Sequence, residues 1–182
     1  MFEIDLPEMT ADKLERLSRA GIRIPENTHF VSADLRKADW REKLCGCPGF
    51  SGKKRSFCSL LGISYYLSAD AFRDLLRGIS DILPDGSAIA FDYPDFLYHS
   101  PRAGERTGKQ AMLAKGAGEA MTVGYSYAVL EAILSQCGFL VYEHLEPEEI
   151  TGRFFLAHNE AEPKHSMTAF DHVNYCLAVK KS

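Results

Sequence analysis

The sequence predicts an α/β fold whose sheet is parallel at first and ends in an antiparallel hairpin. Strand-like and helix-like segments alternate through about the first ninety of the 182 residues, and this alternation is typical of parallel βαβ units. Two late strand-like runs, 139–145 and 173–179, have no clear helix of ordinary length between them, which indicates a hairpin at one edge of the sheet. The length fits one domain covering 1–182.

Composition excludes several classes of protein. The chain is 46% hydrophobic and 25% charged, as in soluble globular proteins, and it has no apolar run near the roughly 20 residues that span a bilayer. Its net charge is −4 without a dense basic cluster, so binding of nucleic acid through phosphates is not expected. The acidic start, MFEIDLPE, is unlike a signal peptide. We therefore predict a cytoplasmic protein with no nucleic-acid or membrane partner.

The cysteine spacing gives no sign of a metal site. Five cysteines are an odd number, which argues against a framework of disulfides. One residue separates Cys45 from Cys47, whereas the paired cysteines of zinc sites are usually two to four residues apart. We predict free thiols and no bound metal.

Local signals define each element of the first half. Apolar and acidic residues alternate in Phe2–Asp5, as in a short strand, and Pro7 suits the first turn of the helix that follows. A second strand is predicted at 28–33 and a polar helix at 37–44. The segment 46–55 is rich in Gly, Pro and Lys, which favours an irregular loop.

The second half begins with a nearly continuous apolar run at 56–62, which is typical of a strand covered on both faces. Ser68 is a suitable N-cap for the next helix, a fourth strand is predicted at 86–93, and another helix covers 126–137. The segment 98–124 is polar and contains several glycines, and its stretch MLAKGAGEAM suits helix ends or a mobile loop. The helix after Ser68 has one apolar stripe, formed by Phe72, Leu75, Leu76, Ile79 and Leu83.

Ligands of open α/β sheets bind beyond the carboxyl ends of the strands, and acids stand at two of these ends. Asp5 follows the first strand and Asp34 the second. One such acid can accept hydrogen bonds from ribose hydroxyls, and the other from the amine of adenine. Acids at strand-to-helix junctions also stabilise helix N-termini, so both interpretations stay open. No phosphate-binding loop or nucleophile elbow occurs in the sequence, and hydrolase chemistry is unsupported.

Four segments at these strand ends resemble, in order and spacing, the leucine carboxyl methyltransferase family. This family belongs to the class I S-adenosylmethionine-dependent methyltransferases and includes many bacterial O-methyltransferases. The 29 positions from Asp5 to Asp34 match the family's spacing, and the similarity extends from residue 1 to about 146 and returns in the last strand. The segments are Glu3-Ile4-Asp5-Leu6-Pro7 followed by Lys13, Val31-Ser32-Ala33-Asp34-Leu35-Arg36 followed by Trp40, Leu60-Leu61-Gly62-Ile63-Ser64-Tyr65-Tyr66-Leu67, and the strand from Gly86 to Asp92.

The resemblance implies a Rossmann-like class I methyltransferase sheet with helices on both faces, and S-adenosyl-L-methionine as the cofactor. Carried over by position, Asp5 would bind the cofactor ribose. Asp34 would accept from the adenine amine and Leu35 would contact the ring, while Leu61 and Gly62 would line the methionine side.

The implied reaction is O-methylation of a small-molecule carboxylate or hydroxyl. A general base is needed only for a hydroxyl acceptor, because a carboxylate is already ionised near neutral pH. By position after the fourth strand, His99 is the first candidate for such a base. Tyr93 and Tyr66 are candidates for shaping the acceptor pocket, although each also fits the simpler role of a packed aromatic residue.

The sequence departs from the family at its start, because the first strand and helix and their glycine-rich turn are missing. In the family, that strand lies between the strands that end here at Asp5 and at Gly62. Two explanations stay open: the competent protein is longer, or the chain is a decayed, catalytically silent α/β interaction module. In either case we expect this chain to bind cofactor weakly or not at all, and its open strand edges to permit homo-oligomers.

Overall fold

The computed structural model describes residues 1–98, 100, 103–116 and 123–181, and within them it contains six strands in two sheets. Strands β1 and β2 form a parallel pair. The other four strands form a second sheet in the order β3-β4-β6-β5. The strands are β1 Phe2–Asp5, β2 His29–Ser32, β3 Phe57–Leu60, β4 Ala88–Pro94, β5 Phe139–Leu145 and β6 Val173–Lys180.

The second sheet contains the predicted hairpin. β3 and β4 are parallel, whereas β6 runs antiparallel to both β4 and β5. β5 therefore lies at the edge and runs in the same direction as β4, and the carboxyl ends of these two strands share one edge of the sheet. The mixed α/β architecture and the antiparallel edge are confirmed.

The helices begin largely where the sequence predicts, because their caps are local. The Ser68 hydroxyl accepts a hydrogen bond from the Ala71 amide at 3.2 Å, and Ser126 accepts one from Val129 at 3.4 Å. No described helix is both long enough and apolar enough to cross a membrane. The α-helices are α1 Pro7–Arg19, α2 Trp40–Cys45, α3 Ala69–Ile82, α4 Gly104–Gly116, α5 Tyr127–Gln136, α6 Pro147–Ile150 and α7 Leu156–Ala161, with 3-10 turns at Ser64–Tyr66 and Pro163–His165.

Two helical segments go beyond the sequence-based prediction. The segment 98–124 was given no helix bounds, yet it contains α4. The connection before the last strand is also more helical than expected, because a π-helical stretch, Thr151–Phe155, joins α6 to α7 in one run. Both segments lack a strong apolar stripe, which is the feature that sequence analysis detects.

Helix α3 contributes one apolar face to the core that packs on the second sheet. The predicted stripe is buried, and Leu76 on it is fully inaccessible to solvent. Ile89 and Phe91 of β4 are equally inaccessible, and the rings of Phe72 and Phe91 meet edge to face with centroids 5.5 Å apart. This packing fixes the position of β4 and of the side chains at its carboxyl end.

A gap separates the two sheets. In the described part of the chain β1 pairs only with β2, and β3 only with β4, so each presents an unpaired edge. Between them lies an apolar cavity of about 530 Å³, lined by Phe2 and Ile4 of β1 and by Cys58 and Leu60 of β3. We call this cavity the interstrand gap. It lies where the resemblance places the missing first strand.

The gap also corrects the prediction that β3 is covered on both faces. Phe57 is 67% exposed, and of the four β3 residues only Leu60 is buried. The apolar run at 56–62 is therefore suited to a neighbour that the described residues do not provide. A strand between β1 and β3 would pair with this open edge and place its side chains beside those of β3.

Replacing Gly78 with alanine should destabilise the protein. A Cβ on Gly78 would lie 2.8 Å from Cζ2 of Trp40, whose ring is buried. Overpacking of this kind costs about 1–3 kcal/mol, which exceeds the gain of about 1 kcal/mol in helix propensity. We expect the Tm from thermal unfolding to fall by about 2–4 °C per kcal/mol lost.

Gly108→Ala is the matched control, because Gly108 also lies in a helix but a Cβ there would meet nothing within 4 Å. This variant should be unchanged or slightly more stable. Equal Tm shifts in both variants would contradict the proposed clash with Trp40.

Candidate active site

The carboxyl ends of β1 and β2 bring the two predicted acids to one edge. Asp5 is paired with Ser32 in the parallel register, and the Ala33 amide donates to the Asp5 carbonyl at 2.8 Å. Asp34 therefore follows its strand directly beside the end of β1. The Asp5 side chain is exposed, and one of its oxygens accepts from the Leu6 amide at 2.8 Å. This bond is made to the residue that precedes α1 and is not a helix-capping bond, and no described residue donates to the second carboxylate oxygen of Asp5.

Asp34 is held by Arg36. The Arg36 amide and Nε donate to one carboxylate oxygen at 3.0 and 2.9 Å, and Nη2 donates to the other at 2.9 Å. These hydrogen bonds lower the pKa of Asp34 from 3.8 to about 2. Helix α2 begins only at Trp40, so Asp34 does not cap it. The ionised carboxylate keeps unused lone pairs that can accept from a further donor.

Leu35, Leu61 and Gly62 occupy different surroundings. Leu35 lines the interstrand gap, whereas Leu61 is 55% exposed. Gly62 has a φ of +70°, and a Cβ there would meet nothing within 4 Å. The left-handed backbone, rather than crowding, explains glycine at this position.

A buried carboxylate that the sequence analysis did not single out positions Gly62. Asp92 is 8% exposed, and it accepts from the Gly62 amide at 2.6 Å and from the Tyr65 hydroxyl at 3.1 Å. Its carbonyl accepts from the Ser64 hydroxyl at 2.7 Å. Burial and the neighbouring Asp92 carboxylate raise the pKa of Tyr65, so the phenol stays protonated and donates. Asp92 thus joins the end of β4 to the turn that follows β3.

The two described acceptor-side candidates, Tyr93 and Tyr66, lie in different surroundings. His99 lies outside the described residues. Tyr93 is 1% exposed, and its hydroxyl is 2.8 Å from Nε2 of His144. Tyr66 is 40% exposed and its ring lies 6.3 Å from that of Tyr65. Of the two candidates that the structure describes, Tyr93 lines a cavity near the strand ends and Tyr66 does not.

That second cavity, of about 480 Å³, lies at the shared carboxyl edge of β4 and β5, and we call it the β4–β5 cavity. Two long-range pairs line it: Tyr93 with His144, and Asp95 with His172. The pairs are 51 and 77 residues apart in sequence, so no local motif could have predicted them. The position of His172 immediately before the last strand is the only signal that the sequence offers.

Because of the Asp34–Arg36 pair, we expect the stability of the fold to fall at low pH. Because its folded pKa is lowered to about 2, ionised Asp34 stabilises the fold above pH 4, and this contribution is lost as the pH falls from about 4 through 2. In Arg36→Gln we expect the pKa of Asp34 to rise toward 3.8, as measured by carboxyl 13C NMR titration. Arg41→Gln, which removes an exposed partner of Asp81, should leave the Asp34 titration unchanged. An unaltered Asp34 curve in Arg36→Gln would contradict the assigned cause.

Comparison with known proteins agrees with the family resemblance found in the sequence. The model of the leucine carboxyl methyltransferase family matches residues 1–80. A protein of Bacillus subtilis (strain 168), described as "Putative S-adenosyl-L-methionine-dependent methyltransferase YktD", is 34% identical over all 182 residues. The chain spans 58% of the length of YktD.

Solved structures show the same fold at low sequence identity. One described as a "putative methyltransferase" from Thermobifida fusca is 16% identical with a TM-score of 0.63, over 100% of this chain and 63% of that one. The O-methyltransferase NcsB1 from neocarzinostatin biosynthesis, in complex with S-adenosyl-L-homocysteine and 1,4-dihydroxy-2-naphthoic acid, is 12% identical with a TM-score of 0.56, over 98% and 41%. The chain therefore has the Rossmann-like fold of class I methyltransferases, and its resemblance to the leucine carboxyl methyltransferase family is confirmed.

Proposed function

We propose that this chain is the greater part of an S-adenosylmethionine-dependent methyltransferase that methylates an oxygen of a small molecule. The observation that carries the proposal is the placement of Asp5 and Asp34 at the carboxyl ends of adjacent parallel strands, in a chain 34% identical to YktD. Residues 1–182 would then belong to one methyltransferase domain. The cytoplasmic location predicted from the sequence is part of the same proposal.

The residues at this edge fit an adenosine-containing cofactor. Asp5 has an exposed oxygen for a ribose hydroxyl, and Leu35 offers an apolar surface beside the ring. Asp34 would accept from the adenine amine while still holding Arg36. Leu61 and Gly62 would border the methionine end, where the space beside Gly62 is open.

The bound cofactor supplies an electrophilic methyl group, and transfer to oxygen is an in-line displacement. The protein's contribution is to align the two reactants and to exclude water. A carboxylate acceptor needs no general base near neutral pH, whereas a hydroxyl acceptor does. The ligand described for NcsB1 carries both types of group, and it supports a small acceptor of either class.

The competent enzyme would contain a further strand in the interstrand gap. Two unpaired edges border an apolar cavity, and the chain spans only part of YktD. Without that strand, the methionine side of the cofactor site is bounded only by the turn at Leu61 and Gly62. We therefore infer that the 182-residue chain binds cofactor weakly.

The alternative is a catalytically silent interaction module whose open edge pairs with a second copy. The exposure of Phe57 beside an unpaired edge favours it. Sedimentation velocity discriminates, because a dimer that dissociates in Phe57→Lys would support edge pairing. A monomer at all concentrations would contradict it.

Ligand-observed NMR with millimolar S-adenosyl-L-homocysteine tests the cofactor site on the chain itself. We expect saturable weak binding, reduced about ten-fold in Asp5→Asn, which is equivalent to about 1.4 kcal/mol. Asp34→Asn should weaken binding as well. Asp12→Asn removes an exposed carboxylate paired with Arg16 on α1 and should bind like the unchanged chain. Binding that is equal in all four proteins would contradict the proposed site.

A further inference from the structure

The β4–β5 cavity contains a histidine with an unusual backbone. His172 has a φ of +63° and is the only non-glycine residue in the described ranges with a positive φ. This conformation costs an ordinary side chain about 1–2 kcal/mol, and glycine or asparagine adopts it more readily. Strain of this kind persists where the surrounding structure holds it, which is common at functional sites.

Asp95 fixes the orientation of the His172 ring. Nδ1 of His172 lies 2.9 Å from one Asp95 carboxylate oxygen, and the Asp95 amide donates to the His172 carbonyl at 2.9 Å. The other Asp95 oxygen accepts from the Leu97 and Tyr98 amides at 2.7 and 3.0 Å. Because an ionised carboxylate only accepts, Nδ1 carries a proton, and in the neutral form of the ring Nε2 presents a lone pair. Among the described residues, Nε2 has no hydrogen-bond partner.

The Nε2 atom of His144, the second histidine of the cavity, already has a hydrogen-bond partner. His144 Nε2 is already bonded to the Tyr93 hydroxyl at 2.8 Å. Burial lowers the pKa of His144 and raises that of Tyr93, so both groups are neutral near pH 7. His172 is therefore the histidine in this cavity whose Nε2 is available to take a proton.

The charges and the walls of the cavity select the kind of ligand. Four carboxylates line it and none of its lining residues is a lysine or arginine, so an anionic acceptor would enter against like charges. Aromatic side chains form much of the remaining wall, which suits a flat, neutral ring. The four acids are Asp95, Glu146, Glu148 and Asp171, and the aromatic residues are Tyr93, Phe96, Tyr125 and Tyr127.

We propose that the β4–β5 cavity is the methyl-acceptor site, that the acceptor is a neutral hydroxylated aromatic compound, and that His172, oriented by Asp95, takes the hydroxyl proton. This inference rests on the proposed function. The acceptor O–H bond breaks and its proton moves to Nε2, while an oxygen lone pair forms the bond to the methyl carbon. The electrons of the carbon–sulfur bond return to sulfur, which leaves S-adenosyl-L-homocysteine. The imidazolium formed is paired with Asp95 and releases its proton to water.

The test uses 4-nitrophenol, whose ionised form absorbs visible light, with the 182-residue chain and no cofactor. Because the proton would pass to His172 inside the cavity, ionisation leaves the net charge of the cavity unchanged and pairs the phenolate with the imidazolium. We therefore expect the bound phenol to ionise about ten-fold more readily than the free phenol, a shift of about one pH unit. His172→Asn should abolish this shift, because asparagine tolerates the backbone and can still donate to Asp95 but cannot take a proton. His158→Asn changes an exposed histidine on α7 and should retain the shift.

Several outcomes would overturn the inference: no binding of 4-nitrophenol, an unchanged ionisation shift in His172→Asn, or tighter binding of 4-nitrobenzoate than of 4-nitrophenol. Asp95→Asn gives a second variant in case His172→Asn unfolds, and it should also lose the shift because the ring is no longer held in the basic tautomer. Binding of S-adenosyl-L-homocysteine to the same samples is measured separately. Failure of the acceptor site and failure of the cofactor site are therefore distinguishable.

Discussion

A version of the chain with an additional apolar strand ahead of Met1 should be more stable and should bind S-adenosyl-L-homocysteine at least 100-fold more tightly than the 182-residue chain. The strand would pair with the open edges of β1 and β3 and fill the cavity of about 530 Å³ between Phe2, Ile4, Cys58 and Leu60. Its turn would close the methionine side of the cofactor site. A 100-fold gain in affinity is equivalent to about 2.8 kcal/mol.

The expected rise in stability follows from the burial of a few apolar side chains. Each contributes about 1.5–3 kcal/mol, against about 1–2 kcal/mol of backbone entropy per ordered residue. A net gain of about 3 kcal/mol would raise the Tm by about 6–12 °C. The natural source of the strand is the part of YktD that lies outside its match to this chain, and calorimetry measures both the Tm and the affinity.

The matched control carries the same extension with serine at its apolar positions, because this keeps the length but removes the side chains that fill the gap. It should resemble the unextended chain in Tm and affinity. Micromolar binding of S-adenosyl-L-homocysteine to the 182-residue chain would contradict the role assigned to the gap.

The placement of Asp5 and Asp34 could be predicted because it depends on local patterns. Strand periodicity defines where β1 and β2 end, and parallel pairing brings adjacent ends to one edge. The side chains around Asp34 were harder to foresee. Asp34 and Arg36 are only two residues apart in sequence. Their bidentate ion pair depends on the turn after β2, and the hydrophobic periodicity of the sequence does not describe that turn.

The interior contacts at the end of β4 could not be predicted, since they join distant parts of the chain. Asp92 receives its hydrogen bonds from residues 27 and 30 positions earlier, at Tyr65 and Gly62. Asp95 and His172 meet only because β6 inserts between β4 and β5. The prediction that β3 is covered on both faces was wrong. An apolar run indicates burial, but it does not indicate which neighbour provides the burial.

Replacing Asp92 with alanine should cost about 3 kcal/mol, because it leaves the buried Tyr65 hydroxyl without an acceptor and removes the hydrogen bond from the amide of Gly62, which is exposed. The Gly62 amide and the Tyr65 hydroxyl both donate to this carboxylate, and each unsatisfied buried group costs about 1–3 kcal/mol. We expect the Tm to fall by about 6–12 °C. Cofactor affinity should also fall, since Gly62 would lose the bond that holds the turn after β3.

A double-mutant cycle separates the phenol from the amide. Asp92→Ala should cost about 1 kcal/mol less in a Tyr65→Phe background, because the hydroxyl that loses its acceptor is then absent. Asp85→Ala is the matched control, since Asp85 is exposed and only pairs with Lys180; it should change stability by less than about 0.5 kcal/mol. If Asp92→Ala were as stable as Asp85→Ala, Asp92 would not be what joins the turn after β3 to β4, and the position of Gly62 would have to depend on backbone packing alone.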